Sequence, residues 1–515
     1  MNETLAVAAA VALAYFVGLS TVYLLFTAIA WRGITRHGRE RKYAPTAETL
    51  ASPLTPPITI ILPAYNEEAG IVESVYSLLG LHYPEFEIVV VSDGSTDGTI
   101  ERLCTAFDLG RVRKGMRPSI PTAPVIAAYA SRRHPELSVI EKENGGKADA
   151  LNCGVNAARY PYVCAIDADA MLEEDALIRV AQPMLLDGRV AAVGGIVRIA
   201  NGCAIDRGRV TAVGLPRSRL ATMQVVEYFR AFLVGRVGWS RIGSLLIISG
   251  AFGLFRRSLI EAVGGWATGT VGEDVELVVR LHRYLRDRDE PYRVDFVPDP
   301  VCWTEVPEDL AQLGRQRRRW QRGLAETLFL HRRLWLNPRY GFLGLVGVPY
   351  FLVFELLGPV LQLAGYPVVG LAFATGAVSV GFLLAFLSMA LLLGVVLSVS
   401  ALALEEFSFR RHHRAADAAR LLIFAVLENF GYRQLNDWWR LRGLVDVARR
   451  RREWGEMNRR GLGVPHSSDS TKTAVRNLVA VLLLRRRVTQ GDATPAVGHQ
   501  SVRRKRQDAR RIRRA

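Results

Sequence analysis

The chain has 515 residues, half of them hydrophobic, and a formal net charge of +17. The charge is lopsided: residues 440–515 hold 21 basic against 6 acidic residues, so everything before them is close to neutral. A nucleic-acid protein spreads positive charge over a whole binding face, and this distribution excludes that class for the bulk of the chain. Five scattered cysteines with no Cys-x-x-Cys or Cys/His spacing exclude a disulfide framework and a zinc site, and read as reduced thiols facing the cytosol.

In chain order, residues 1–31 form the first element. TLAVAAAVALAYFVGLSTVYLLFTAIAW carries no charge and exceeds the ~20 residues a spanning helix needs. A signal peptide would show a basic leading segment and a shorter apolar core. Arg32, Arg36, Arg39, Arg41 and Lys42 follow, and only Glu3 precedes. The positive-inside bias therefore puts the N-terminus outside and a cytosolic linker at 32–56.

Residues 57–323 alternate short β-branched runs (PITIILPA, FEIVVVSD, LSVIEK, YVCAIDAD) with helical patterns (EEAGIVESVYSLL, TIERLCTAF, GKADALNCGVNAA, EEDALIRVAQPML). That alternation predicts an α/β domain with a mostly parallel sheet covered on both faces. RVRKGMRPSIPTAP (111–124) reads as a loop insertion. In such sheets ligands lie beyond the carboxyl ends of the strands. PAYNEE (63–68), SDGSTDGT (92–99) and DAD (167–169) sit there, and GED (272–274) opens a helix.

Residues 324–341 read as an interfacial amphipathic region, and 342–433 as about four transmembrane helices with Glu355 and Glu428-Asn429 inside or near them. The remainder, 434–515, reads as a basic cytosolic tail, largely disordered after 461 and attracted to anionic lipid.

Taken singly, each polar motif is an ordinary turn, cap or solvated acid. Together, in this order, PAYNEE, VSDGSTDGT, ENGGKADALN (143–152), DAD, SGAFGLFRR (249–257), GED and QRRRW (316–320) resemble the membrane-embedded inverting glycosyltransferases of family 2. That group includes the synthases of cellulose, chitin, hyaluronan and poly-N-acetylglucosamine. ENGGKADALN with Q-x-x-R-W points toward the poly-N-acetylglucosamine, chitin and hyaluronan branch. The resemblance implies a GT-A catalytic fold on the cytosolic face of the plasma (inner) membrane, and a nucleotide-sugar donor, with uridine diphosphate as its nucleotide. Gly272 stands where several members have Thr, but the acid pair is kept.

Such a transfer must stabilise charge on a leaving diphosphate and deprotonate an attacking hydroxyl. Mg²⁺ or Mn²⁺ meets the first demand, held by Asp167 and Asp169, the latter the metal contact by resemblance. Asn66, Glu67, Asp93 and Lys147 are expected on the donor, Asp93 against its base or ribose. Arg319 suits diphosphate oxygens, which a guanidinium binds in bidentate fashion. Arg315, Arg317, Arg318 and Arg322 are expected mostly at the membrane interface. Asp274, beside Glu273, is the best general base, and one base gives a single inverting displacement. Trp320 offers a stacking face and Gln316 hydrogen bonds to an acceptor sugar.

Three readings follow. The first is a processive synthase that exports a glycan, with possible accessory export subunits. The second is a single-sugar transferase acting on a lipid or other acceptor. The third is a membrane-tethered binding protein without activity.

Overall fold

The computed structural model describes residues 2–43, 52, 55–206, 208–409 and 415–449. The expectations for the tail beyond 449, including disorder after 461, lie outside the described residues.

One ten-stranded sheet organises the catalytic domain. Its strands are β1 (Ile58–Ala64), β2 (Phe86–Asp93), β3 (Leu109–Val112), β4 (Val125–Ser131), β5 (Leu137–Lys142) and β6 (Tyr162–Ile166), then β7 (Ala170–Leu172) and β8 (Val190–Ile199). A separate hairpin of β9 (Ala204–Asp206) and β10 (Arg209–Ala212) precedes β11 (Phe252–Arg256) and β12 (Arg293–Thr304). The order is β3-β4-β5-β2-β1-β6-β11-β8-β12-β7. Strands β5, β2, β1 and β6 run parallel, and β8 is parallel to β12. The other pairings are antiparallel, so the mixed α/β sheet has a parallel centre and antiparallel flanks. The expected "mostly parallel" describes the centre and the β8–β12 pair, while β3, β4, β7 and β11 pair antiparallel with their neighbours.

The central strands read as unbroken apolar runs because both faces are covered. Ile58, Ile60, Ile61 and Leu62 are wholly buried, as are Ile88, Val89, Val90 and Val91. Helices α1 (Asn2–Tyr43), α2 (Ile71–Leu79), α3 (Thr99–Phe107) and α4 (Lys147–Ala157) come next in the chain. Helix α4 reaches the sheet because Gly154 has no side chain; a Cβ there would lie 2.3 Å from Ile61 Cγ2. Beyond them come α5 (Ala176–Leu186), α6 (Arg219–Tyr228), α7 (Glu273–Asp287) and α8 (Leu310–Leu330). The loop after β3 is pinned to α4, with Asn156 Oδ1 accepting from the amides of Ser119 and Ile120 at 3.1 and 3.0 Å.

Three expectations about the C-terminal half change. Residues 324–341 are not a helix of their own: α8 runs on to Leu330, followed by two short 3₁₀ turns, Arg332–Leu334 and Pro338–Tyr340. In place of about four spans in 342–433, residues Leu343–Leu356 and α9 (Gly358–Ala374) form a pair bent by 51°, and Val380–Phe409, ending in α10 (Leu393–Phe409), is one long helix. Among the described residues two helices, α1 and Val380–Phe409, are long and apolar enough to cross a bilayer, or three if the bent pair is one span. Helix α11 (Ala415–Leu427) is shorter than a spanning helix.

The third change matters most for the site. The tail expected from 434 begins instead with an ordered helix, α12 (Arg433–Ala448), packed along α8. Arg318 makes a two-pronged ion pair with Asp446 (2.9 and 2.7 Å), and Arg440 Nε donates to Gln321 Oε1 at 2.8 Å. The two backbones come close at Gly443, where a Cβ would lie 2.7 Å from the Arg318 carbonyl oxygen. Gly443→Val should therefore force α12 off α8 and lower stability by about 1–3 kcal/mol, measured as a fall in the thermal unfolding midpoint in detergent.

Candidate active site

The carboxyl ends of β1, β2 and β6 lie side by side, and a cavity of about 1480 Å³ opens beyond them. Every residue expected to act on donor, acceptor or metal lines it: Asn66, Glu67, Asp93, Lys147, Asp167, Asp169, Glu273, Asp274, Gln316, Arg319 and Trp320.

Three loops are bolted together at the ends of β1, β2 and β5. Asn66 sits at φ +53° and its Oδ1 accepts from the Thr96 amide at 2.8 Å. Gly94, at φ +68°, leaves no room for a side chain, since a Cβ would lie 2.8 Å from the Asn144 nitrogen. Asp93 is 3 % exposed, and its carboxylate accepts from Lys142 Nζ (2.6 Å) and from the amides of Gly145 (3.0 Å) and Gly146 (2.7 Å). Asp93 is thus first an anchor for the Gly145-Gly146 turn, a role the sequence did not suggest. Its partner Lys142 was also missed. That lysine is fully buried between Asp93 and Asp149, each at 2.6 Å, and the one signal was a cation closing an apolar strand.

The middle of the site is held by Lys147. Its ammonium lies 2.5 Å from Asp167 and 3.3 Å from Glu273, linking the end of β6 to the start of α7. Burial alone would lower its pKa, but Asp167 and then Glu273 outweigh that and hold it above the ordinary value. Gly250, within the SGAFG stretch, backs directly on this group: a Cβ there would lie 3.1 Å from Asp274 Oδ2 and 3.3 Å from Lys147 Nζ. Asp274 itself has its pKa pushed up to about 6, by burial first and by Glu273 second, with Lys147 opposing. A carboxyl so poised accepts a proton near neutral pH far better than an ordinary aspartate.

The opposite wall is α8. A Cβ on Gly323 would lie 2.8 Å from the Gly272 Cα, so the helix and the loop entering α7 touch backbone to backbone. Glu326 adds a second tie, its Oε2 accepting from Thr270 Oγ1 (2.9 Å) and the Val271 amide (3.1 Å). The acid pair and the Q-x-x-R-W residues are therefore parts of one packed unit. Glu326→Ala should loosen it, seen as faster hydrogen exchange across residues 267–275, whereas Glu326→Gln keeps an acceptor and should change exchange less.

The arginines of 315–322 divide differently from expectation. Arg317 is buried, ion-paired to Glu227 by two bonds (2.6 and 2.9 Å), with its guanidinium 4.5 Å from the Trp320 ring centroid. Freeing it for a ligand would break a buried pair at a cost of about 3–5 kcal/mol. Arg318 holds Asp446, and Arg322, also buried, lies 3.5 Å from Glu326. These three are internal ties and not interfacial charges; Arg315 alone is exposed. Arg319 lines the cavity with no ion-pair partner among the described residues. Gln316 Oε1 is buried there without a hydrogen bond, and Trp320 is 43 % exposed.

Among the described residues no group of three or more His, Cys, Asp and Glu side chains converges as metal ligands. Asp167 and Asp169 offer carboxylate oxygens alone. That donor set fits a hard cation that takes its other ligands from a diphosphate and water.

The cavity does not stop at the acid pair. It continues between Tyr23 of α1, Gln362 and Tyr366 of α9, Gly394 of α10, and Gln434 and Asp437 of α12. Glu355 lines it, 3.0 Å from Arg440. Glu428 and Asn429 do not line it; Glu428 is fully buried among Arg230, Ser398 and Arg433.

Comparison with known proteins matches residues 59–113 to the profile "Glycosyl transferase family 2" and residues 121–323 to "Glycosyltransferase like family 2". A poly-beta-1,6-N-acetyl-D-glucosamine synthase of Staphylococcus epidermidis is 30% identical over 306 residues, 59% of this chain and 61% of that protein. One from Staphylococcus aureus (strain COL) is 32% identical over 274 residues, 53% of this chain and 55% of its own. The chain thus spans rather less than two thirds of the curated relatives it matches. Among solved structures, a mannosyltransferase from Pyrobaculum calidifontis in complex with GDP-Man and Mn2+ aligns with a TM-score of 0.44 and 22% identity, over 80% of this chain and 99% of that one.

Proposed function

We propose that this chain, whose residues 59–113 and 121–323 match family 2 glycosyltransferase profiles, is a membrane-embedded inverting glycosyltransferase that extends a β-linked glycan from a UDP-linked sugar. The growing chain is fed into the membrane half of the cavity. The observation that carries this reading is the cavity's continuity from Asp274 to the residues between α1, α9, α10 and α12. A transferase that released its product after one addition has no need of that extension.

In this reading Asp274 takes the proton of the acceptor hydroxyl as it attacks the anomeric carbon, and Glu273 keeps its pKa raised. Lys147 holds Asp167 and Glu273 in one geometry, so donor and acceptor halves of the site stay in register. Arg319 contributes bidentate bonds to the leaving diphosphate. Bound at Asp167 and Asp169, Mg²⁺ or Mn²⁺ would neutralise charge on the same phosphates. Gln316 and Trp320 bind the acceptor sugar, the ring fixed from behind by Arg317. The basic residues at the C-terminal end of α1 support catalysis on the cytosolic face.

The direct test is to incubate washed membranes with a panel of labelled nucleotide sugars and size the products. Long chains from a UDP-sugar are expected, and Trp320→Ala should shorten them, with retention falling about 5- to 150-fold by analogy with base stacking. One added sugar whatever the time or donor concentration would instead establish transfer to a lipid or other single acceptor.

Asp274→Asn is nearly isosteric and cannot accept a proton, so it should keep donor binding and lose about 10²–10⁴-fold in turnover. For the unaltered enzyme the carboxylate is the active form. Turnover should therefore be full above pH 6 and fall as the pH drops through about 6, a limb that a pH–rate profile reads directly.

A further inference from the structure

We infer that Arg236 is a second guanidinium ligand for a phosphoryl oxygen in this cavity, acting alongside Arg319. The inference rests on the transferase reading above, which brings phosphate into the site.

It begins from how positive charge is distributed around the cavity. Most cations that line it already have an anion. Lys147 holds Asp167 and Glu273, and Arg317 holds Glu227. Arg440 holds Glu355, and Arg230 and Arg433 share Glu428. Among the described residues two cavity-lining cations have neither an ion pair nor a hydrogen bond: Arg319 and Arg236.

Arg236 is the more constrained of the two. Its Nη1 is buried without a hydrogen-bond partner. Its guanidinium lies 3.7 Å from the centroid of the Phe232 ring, which orients it but supplies no formal counter-charge. Burial pulls its pKa down to about 10, with the Asp274 carboxylate opposing, so it remains charged at neutral pH. An unpaired, desolvated cation is costly, and removing it should relieve the fold unless something else supplies the counter-charge. The residue also closes a π-helical turn, Phe229–Arg236, at the end of α6. Such turns are rare and concentrate at functional sites.

The shared chemistry of the ligand is a phosphoryl oxygen, and it has two sources in this reading. One is the diphosphate of the donor. The other is the phosphate of a lipid-linked acceptor.

The test uses the full-length protein in detergent, as wild type, Arg236→Met and Arg236→Lys. Each is titrated calorimetrically with pyrophosphate and Mg²⁺, with UDP and Mg²⁺, and with a polyprenyl phosphate. If the donor is the source, Arg236→Met weakens pyrophosphate and UDP about 10- to 100-fold, the loss of one or two charged hydrogen bonds. Arg236→Lys, which keeps the charge without the fork, recovers part of it. If a lipid acceptor is the source, the polyprenyl phosphate alone weakens. In either case the Met variant should unfold at an equal or higher temperature, whereas a purely structural arginine would lower it. Unchanged affinity for all three probes overturns the proposal, as does a wild type that binds none of them. Failure of the transferase reading looks different: no labelled nucleotide sugar is consumed, yet pyrophosphate binding still depends on Arg236.

Discussion

At Gly272 and Gly323 two backbones meet with no room for a β-carbon, and most of the site's geometry depends on that closeness. The contact sets how near the loop carrying Glu273 and Asp274 comes to the helix carrying Gln316, Arg319 and Trp320. A side chain at 272 would need a different spacing here, so glycine at that position is a packing choice that leaves the acid pair intact. Around this point the fold adds directional ties. Glu326 fixes the loop from one side, and Arg318 with Asp446 and Arg440 with Gln321 hold the helix from the other. Asp274 and Trp320, on separate elements, are held in one packed unit because backbone contact, not side-chain reach, joins them.

The second organising theme is charge neutralised in place. The cavity is rich in both signs, yet nearly all its cations are matched inside the protein, so the surface presented to a neutral sugar is not a field of loose charge. Lys147 illustrates the design: a single ammonium among Asp167, Glu273 and the nearby Asp274 keeps three carboxylates from repelling one another apart. What is left unmatched is sparse, and sparseness is what makes it informative.

Much of this was legible in the sequence. The strand runs of β1, β2 and β5 appear at their full extent because buried parallel strands have no polar interruption. The motif residues converge because each follows a strand end or opens a helix, positions that topology alone brings together. What the sequence hid has physical reasons too. β4 lies outside the βα alternation, so no crossover helix announces it. Asp93 and Lys142 satisfy each other across 49 residues, a pairing that no local pattern encodes. The arginines of 315–322 look alike in sequence, and only their partners, Glu227, Asp446 and Glu326, separate ties from ligand. Helix α12 was taken for tail because its arginines suggested solvent, when one of them, Arg440, holds Gln321 of a helix more than a hundred residues earlier.

That last misreading bears on where the protein can be cut. The family profile ends at residue 323, inside Leu310–Leu330, and the partner that flanks this helix comes from Arg433–Ala448. A fragment trimmed to the recognised family region would end midway along a helix and lack the strand of chain that braces it. The unit of inheritance and the unit of folding do not share a boundary here. Soluble excisions that respect the family's limits would therefore keep the helix residues Gln316, Arg319 and Trp320 but lose the brace that holds them.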